Sequence, residues 1–212
     1  THNTLCSGRT QMKSLDPDRI DLGHGNSRAI FGTISAISSG VAWDMQPRFS
    51  PDGQWIAFTS DRAGGDNIWI MKRDGSEPKQ VSKESFRLVN SPAWSPDGQW
   101  IAYYQGDETK YLAYDINKLA IIPVAGGAPK VLTAALDRPV SGQISWSPDG
   151  KTLTFTVGDD RAEYVGRTTT AGGVVEKLTT GRHTVSNVTL GADGHLTLLA
   201  GTAARTPEVH AL

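Results

Sequence analysis

One turn, written four times, constrains this chain more than any other feature. Pro47–Phe58 reads PRFSPDGQWIAF, Pro92–Tyr103 reads PAWSPDGQWIAY, and Ile144–Phe155 reads ISWSPDGKTLTF. A weaker copy, VTLGADGHLTLL, spans Val188–Leu199. The turn glycines Gly53, Gly98, Gly150 and Gly194 stand 45, 52 and 44 residues apart. Self-similarity at that period marks an array of one supersecondary unit. Each copy predicts strand, tight turn, strand. Serine caps the turn, proline pre-sets φ to about −65°, aspartate tolerates the bridge region, and glycine takes positive φ. Apolar residues then alternate through Trp55 and Ala57, as a half-buried strand requires.

Unit one is predicted from about 46 to 83, with strands at 47–50, 55–60, 67–72 and 79–82. Unit two runs from about 91 to 133, with a longer second loop at 106–117, and unit three from about 141 to 180. The last segment, 185–212, supplies three strands, at 185–190, 196–201 and 208–211. Residues 30–38 have strand character, with Ile30, Thr33, Ile34 and Ile37, and no turn motif before them. They are the expected partner for the last unit. Residues 1–27 are polar and broken by Asp16-Pro17 and Gly23-His24-Gly25-Asn26, and are read as an irregular segment. Four-stranded units of about 45 residues are blades of a β-propeller. The fold class is therefore all-β: three complete antiparallel blades, plus one completed from N- and C-terminal strands. A Greek-key sandwich fits the strand content but not the fourfold recurrence.

Composition narrows the function classes. Of 212 residues, 38% are hydrophobic and 20% charged, with a net charge of −1. That balance gives no footprint for nucleic acid, and there is no apolar run of membrane-span length. The 23 glycines and 11 prolines favour many short strands over helices. The single cysteine, Cys6, excludes an internal disulfide and has no recognisable nucleophile pattern around it.

The repeated FSPDG/WSPDG, IAF, IWIM, DG and QVS elements resemble the TolB-type, WD-like propeller repeat. Within them, 40–105 resembles the propeller that precedes the catalytic domain of certain bacterial amidohydrolases, through GVAWDMQPRFSPDGQWIAFTSDRAGGDNIWIM and SPAWSPDGQW. Residues 119–212 resemble the propeller of prolyl oligopeptidase-type serine peptidases, through PVAGGAPKVLT, WSPDGKTLTF and AGGVVEKLTTGR. These motifs are specific for the repeat and weak for function. The resemblance implies a bacterial protein, of periplasm or cytoplasm, and rings of about six to eight blades. The peptidase elbow Gly-x-Ser-x-Gly and the amidohydrolase His-x-His pair do not occur in this sequence, so no catalytic residue carries over. Four units either close a tight four-bladed ring within one chain or, by association of two chains, make a wide ring. A homodimer of eight blades, with possible strand exchange, is the expected assembly.

Propeller ligands sit at one mouth of the channel, built from loops between strands two and three and from loops joining blades. The ligand-mouth candidates on those loops are Asp61, Asp66, Arg87, Arg138 and Glu163. A solvated acidic or basic turn is the plainer reading of each. No HExxH or close histidine pair is present. A divalent metal such as zinc would need distant ligands, and the candidates are His24, His183, Asp159 and Asp160. Two functions follow: an oligomerising binding or scaffold module that takes a small-molecule ligand, or a metal-assisted ester or phosphotriester hydrolase at the mouth or dimer interface. Trp94 and Trp146, aligned with Phe49, and Trp55 with Trp100, are expected to pack between blades.

Overall fold

The computed structural model describes residues 36–106, 116–191 and 193–212. The chain divides into two compact units, Thr1–Ala36 and Ile37–Leu212. The expected pairing segment 30–38 lies mostly outside the described residues. Its last two residues, Ile37 and Ser38, are not in a strand.

Among the described residues, fifteen strands form four antiparallel sheets. Blade 1 comprises β1 (Asp44–Phe49), β2 (Trp55–Ser60), β3 (Asn67–Lys72) and β4 (Lys79–Gln80). Blade 2 comprises β5 (Val89–Trp94), β6 (Trp100–Gln105), β7 (Lys118–Pro123) and β8 (Lys130–Val131). Blade 3 comprises β9 (Val140–Trp146), β10 (Thr152–Asp159), β11 (Ala162–Thr169) and β12 (Glu176–Lys177). Blade 4 has β13 (Thr184–Leu190), β14 (Leu196–Thr202) and β15 (Arg205–Ala211). In every sheet the strands follow chain order, as in a propeller blade.

The repeated turn does what its residues dictate. In blade 1 the Ser50 hydroxyl donates to the Asp52 carboxylate and accepts from the Trp55 N–H at 2.9 Å, while Gly53 takes φ of 68°. Blades 2 and 3 repeat this with Ser95 and Asp97, and with Ser147 and Asp149. The turn of blade 4 has no serine, and it is one residue shorter. Leu190 pairs with Leu196, whereas Trp146 pairs with Leu153. A one-residue change swaps the faces of a strand. Leu196 and Leu198 therefore meet blade 3, although Leu199 would by alignment with blade 3.

Successive blades pack through their first strands: β5 lies against β1, β9 against β5, and β13 against β9. Those four strands thus stand side by side along the channel. Between blades 1 and 2 lie Ala57, Ile68, Ile70, Val81, Ile101 and Tyr103, and between blades 2 and 3 lie Tyr104, Leu119, Leu132, Leu153 and Phe155. The interface of blades 3 and 4 is thinner, with Val165, Val185, Val188, Leu196 and Leu198. Trp94 and Trp146 stitch the blades as expected: the Trp94 indole donates to the Arg48 carbonyl at 3.0 Å and the Trp146 indole to the Ala93 carbonyl at 3.1 Å, whereas Trp100, expected to pack likewise, is exposed. Phe49, their counterpart in blade 1, is 62% exposed.

A second repeated device closes the outer edge of each complete blade. The residue after the short fourth strand, Val81, Leu132 or Leu178, donates its N–H to the third-strand carbonyl of Ile68, Leu119 or Val165, each at 2.8 Å. The next residue, Ser82, Thr133 or Thr179, accepts the N–H of that same third-strand residue at 2.8, 2.9 and 3.0 Å. This apolar–hydroxyl latch satisfies both backbone groups of a fully buried residue, which would otherwise be orphaned.

Candidate ligand mouth of the channel

The starts of the first strands, the loops between second and third strands, and the inter-blade loops share one face. Each first strand is broken there by a bulge, and the bulged residue takes left-handed φ: Gln46 (54°), Ser91 (58°), Gly142 (77°) and Asn187 (50°). Non-glycine residues adopt this region seldom, and bulges re-aim side chains. Three of the four carry an amide or a hydroxyl: Gln46, Ser91 and Asn187. Gln46 Oε1 accepts the Ser91 N–H at 2.6 Å, joining two neighbouring bulges. This ring was not foreseen from the sequence. Its one signal is position, four or five residues before the turn-opening Ser50, Ser95, Ser147 and Gly191.

At blade 1 the mouth holds a cation clamped from several sides. Arg62 makes two 2.7 Å hydrogen bonds to Asp44 and one of 3.0 Å to Ser60 Oγ. Its guanidinium also lies 5.0 Å from the Phe58 ring centre and 5.1 Å from that of Trp69. Burial works against the Asp44 carboxylate, but hydrogen bonds from Ser60, Arg62 and Ser38, with the Arg62 charge, hold it below the ordinary range. Asp61 accepts the Trp43 N–H at 2.8 Å. Burial, and then the Asp61 charge, push the Asp66 carboxyl up. Asn67 ties this loop to the next by donating to the carbonyls of Gly65 and Glu84 and accepting from Ser82 and the Glu84 N–H. Arg87 bonds Glu84 at 3.2 Å and stacks on Phe86.

At blade 3 the expected candidates separate into roles. Asp159 takes Arg138 at 3.0 Å and Lys177 at 3.9 Å, and Lys177 caps the Tyr164 ring at 4.3 Å. Asp160 and Arg161 form a tight turn with φ of 45° and 62°, and Arg182 lies 3.7 Å from the Asp160 carboxylate. Glu163 is a staple between blades: its N–H donates to the His183 carbonyl at 2.7 Å, and its carboxylate accepts the Val185 N–H at 2.8 Å. His183 is half-buried and lines a groove of about 210 Å³ with Leu178, Val185, Leu198 and His210. His24 lies outside the described residues. Of the metal candidates, Asp159 and Asp160 are each engaged by side-chain cations. Among the described residues no group of three His, Cys, Asp or Glu side chains is placed to hold a metal ion. Also among them, no helix is long and apolar enough to cross a membrane.

With this geometry in view, residues 28–138 match the TolB beta propeller domain family. The chain belongs to that family. An uncharacterised Agrobacterium fabrum protein is 23% identical over 163 residues, covering 72% of this chain and 50% of the relative. Among solved structures, TolB from Acinetobacter baumannii superposes with a TM-score of 0.64 at 19% identity, covering 82% of this chain and 42% of TolB. A puromycin-hydrolyzing peptidase of Mycobacterium tuberculosis gives 0.66 at 16% identity, with 80% and 28% covered. At these identities the likeness shows the TolB-type propeller fold alone. The chain spans about half the length of the curated relative it matches.

Proposed function

We propose that this chain is a ring-forming β-propeller binding module, which associates with a second copy of itself and takes its ligands at the polar mouth. The carrying observation is where apolar surface remains open. Among the described residues, seven of the eleven exposed large hydrophobics sit at the two ends of the blade series: Ile37, Val41, Trp43, Met45 and Phe49 at one, Val209 and Leu212 at the other. The counterparts of Ile37 in blades 1 and 2, Val81 and Leu132, are buried, and those of Phe49, Trp94 and Trp146, are half-buried. Apolar surface left open at both ends of a blade series favours association. The mouth offers amides, hydroxyls and charges already held in pairs, an arrangement suited to holding a polar ligand.

Light scattering across a micromolar dilution series tests the reading. The expected mass is twice the 22.7 kDa of one chain. A monomer at every concentration would remove self-association from the function. Gln46→Ala and Asn187→Ala should then leave that mass unchanged while altering the response of the protein to polar small molecules in a thermal-shift screen.

A further inference from the structure

Resting on the ring-forming reading, a finer inference concerns which atoms make the joint. The latch that seals blades 1 to 3 has an open counterpart in blade 4. Register identifies it. Met45, Asn90, Ser141 and Ser186 each precede a bulged residue, and they pair with Thr59, Tyr104, Thr156 and Leu199. Those second-strand residues pair in turn with Ile68, Leu119, Val165 and Val209. Val209 is thus the fourth member of the series whose first three members are latched. Ile68, Leu119 and Val165 are fully buried, whereas Val209 is 77% exposed. Pairing among the described residues gives β15 one neighbour, β14.

The complementary half is at the other end of the chain. Latch hydroxyls stand 8 or 9 residues before the next bulge: Ser82 to Ser91 is 9 residues, Thr133 to Gly142 is 9, and Thr179 to Asn187 is 8. Ser38 stands 8 residues before Gln46, and Ile37 precedes it as Val81, Leu132 and Leu178 precede theirs. The seat is the same too. The apolar latch residue of one blade lies on the third-to-fourth-strand turn glycine of the next: the Val81 carbonyl lies 4.0 Å from where a Cβ on Gly126 would be, and the Leu132 carbonyl 3.3 Å from one on Gly172. Gly75 of blade 1 is covered in this way by the Ile37 carbonyl, leaving no room for a Cβ. Ile37-Ser38 therefore occupies, against blade 1, the position of a latch from a preceding blade. Ile37 nevertheless remains 41% exposed. The Ser38 hydroxyl lies close enough to Asp44 to help hold its carboxyl down, and a hydroxyl has two acceptor lone pairs besides its donor.

We infer that Ile37-Ser38 of one copy latches β15 of a second copy: the Ile37 N–H donates to the Val209 carbonyl, and the Ser38 hydroxyl accepts the Val209 N–H. Among the described residues, neither Ile37-Ser38 nor the outer edge of β15 has a backbone partner. Two copies related by a two-fold axis along the channel make this joint twice and leave neither end uncovered.

Cysteine cross-linking separates the possibilities, because directly opposed strand residues lie within disulfide reach. In a Cys6→Ser background, Ile37→Cys alone and Val209→Cys alone are mixed and oxidised. The expected product is a disulfide dimer of the two variants, with little of either self-pair. Val209→Asp should raise the dimer dissociation constant roughly tenfold or more without changing the circular dichroism spectrum, because the residue is exposed in the single chain. A cross-link confined within the doubly substituted chain would overturn the inference in favour of closure in one copy. No cross-link in a protein that still scatters as a dimer would overturn this joint alone. A monomer without cross-links would overturn both the joint and the self-association beneath it.

Discussion

Replacing Thr133 with valine tests the latch in isolation. Thr133 is fully buried, and its Oγ1 accepts the N–H of Leu119, also fully buried, at 2.9 Å. Valine keeps the shape of threonine and removes the acceptor. The Leu119 N–H is then desolvated without a partner, at a cost of about 1–3 kcal/mol. For a domain of this size that lowers Tm by roughly 2–10 °C. Thr133→Ser keeps the acceptor and removes one methyl, costing about 1 kcal/mol or less. The same substitution at Thr179, which is only half-buried, should cost less than at Thr133, because water can replace its bond to Val165 at 3.0 Å. Thermal melts give the order Thr133→Val, Thr179→Val, Thr133→Ser in falling or equal severity. Hydrogen exchange separates mechanism from general loosening: the Leu119 amide loses protection in the valine variant and keeps it in the serine variant. A Thr133→Val protein as stable as the parent, with Leu119 still protected, would refute the claim that these hydroxyls close the blades.

Three further outcomes are expected. Trp146→Phe removes the indole bond to the Ala93 carbonyl in a half-buried setting and should cost about 1–2 kcal/mol by denaturant titration, whereas Trp94→Phe, whose acceptor Arg48 is exposed, should cost less. The turn aspartates Asp52, Asp97 and Asp149 are held below the ordinary carboxylate value, chiefly by the Ser50, Ser95 and Ser147 hydroxyls. Their contribution is present above the unfolded value and lost as pH falls through the depressed folded one, so the asparagine triple variant should lose less stability than the parent in acid melts below about pH 4. Asp66 has the opposite sign: burial and then Asp61 raise its folded value, so the ionised group weakens the fold at neutral pH, and Asp66→Asn should raise Tm at pH 7 but not at pH 3.

Local chemistry made much of the architecture legible in advance. Ser-Pro-Asp-Gly can do little except turn, and the indoles of Trp94 and Trp146 recur at the blade period because every blade faces the same neighbour. The expected strands of blade 4, at 185–190, 196–201 and 208–211, fall on β13, β14 and β15. The mouth was less legible. Arg62 and Asp44 lie 18 residues apart and meet only because β1 and β2 pair with Asp44 opposite Ser60. Glu163 looked like a solvated acid on a loop, and it is a staple because β13 runs beside β11. Asp159 and Asp160 are paired by Arg138, Lys177 and Arg182, which lie 18 to 22 residues away and reach them only through the fold.

By itself the sequence determined the repeat, the turn and the strand order within a blade. These follow from φ preferences and alternation over a few neighbouring residues. Only the tertiary structure decided where the bulges turn Gln46, Ser91 and Asn187, and which charges are neutralised. It alone set Ile37 on Gly75 while leaving Val209 bare. Those outcomes depend on the register between strands and the packing between blades, and such relations join residues tens of positions apart that share no local signal.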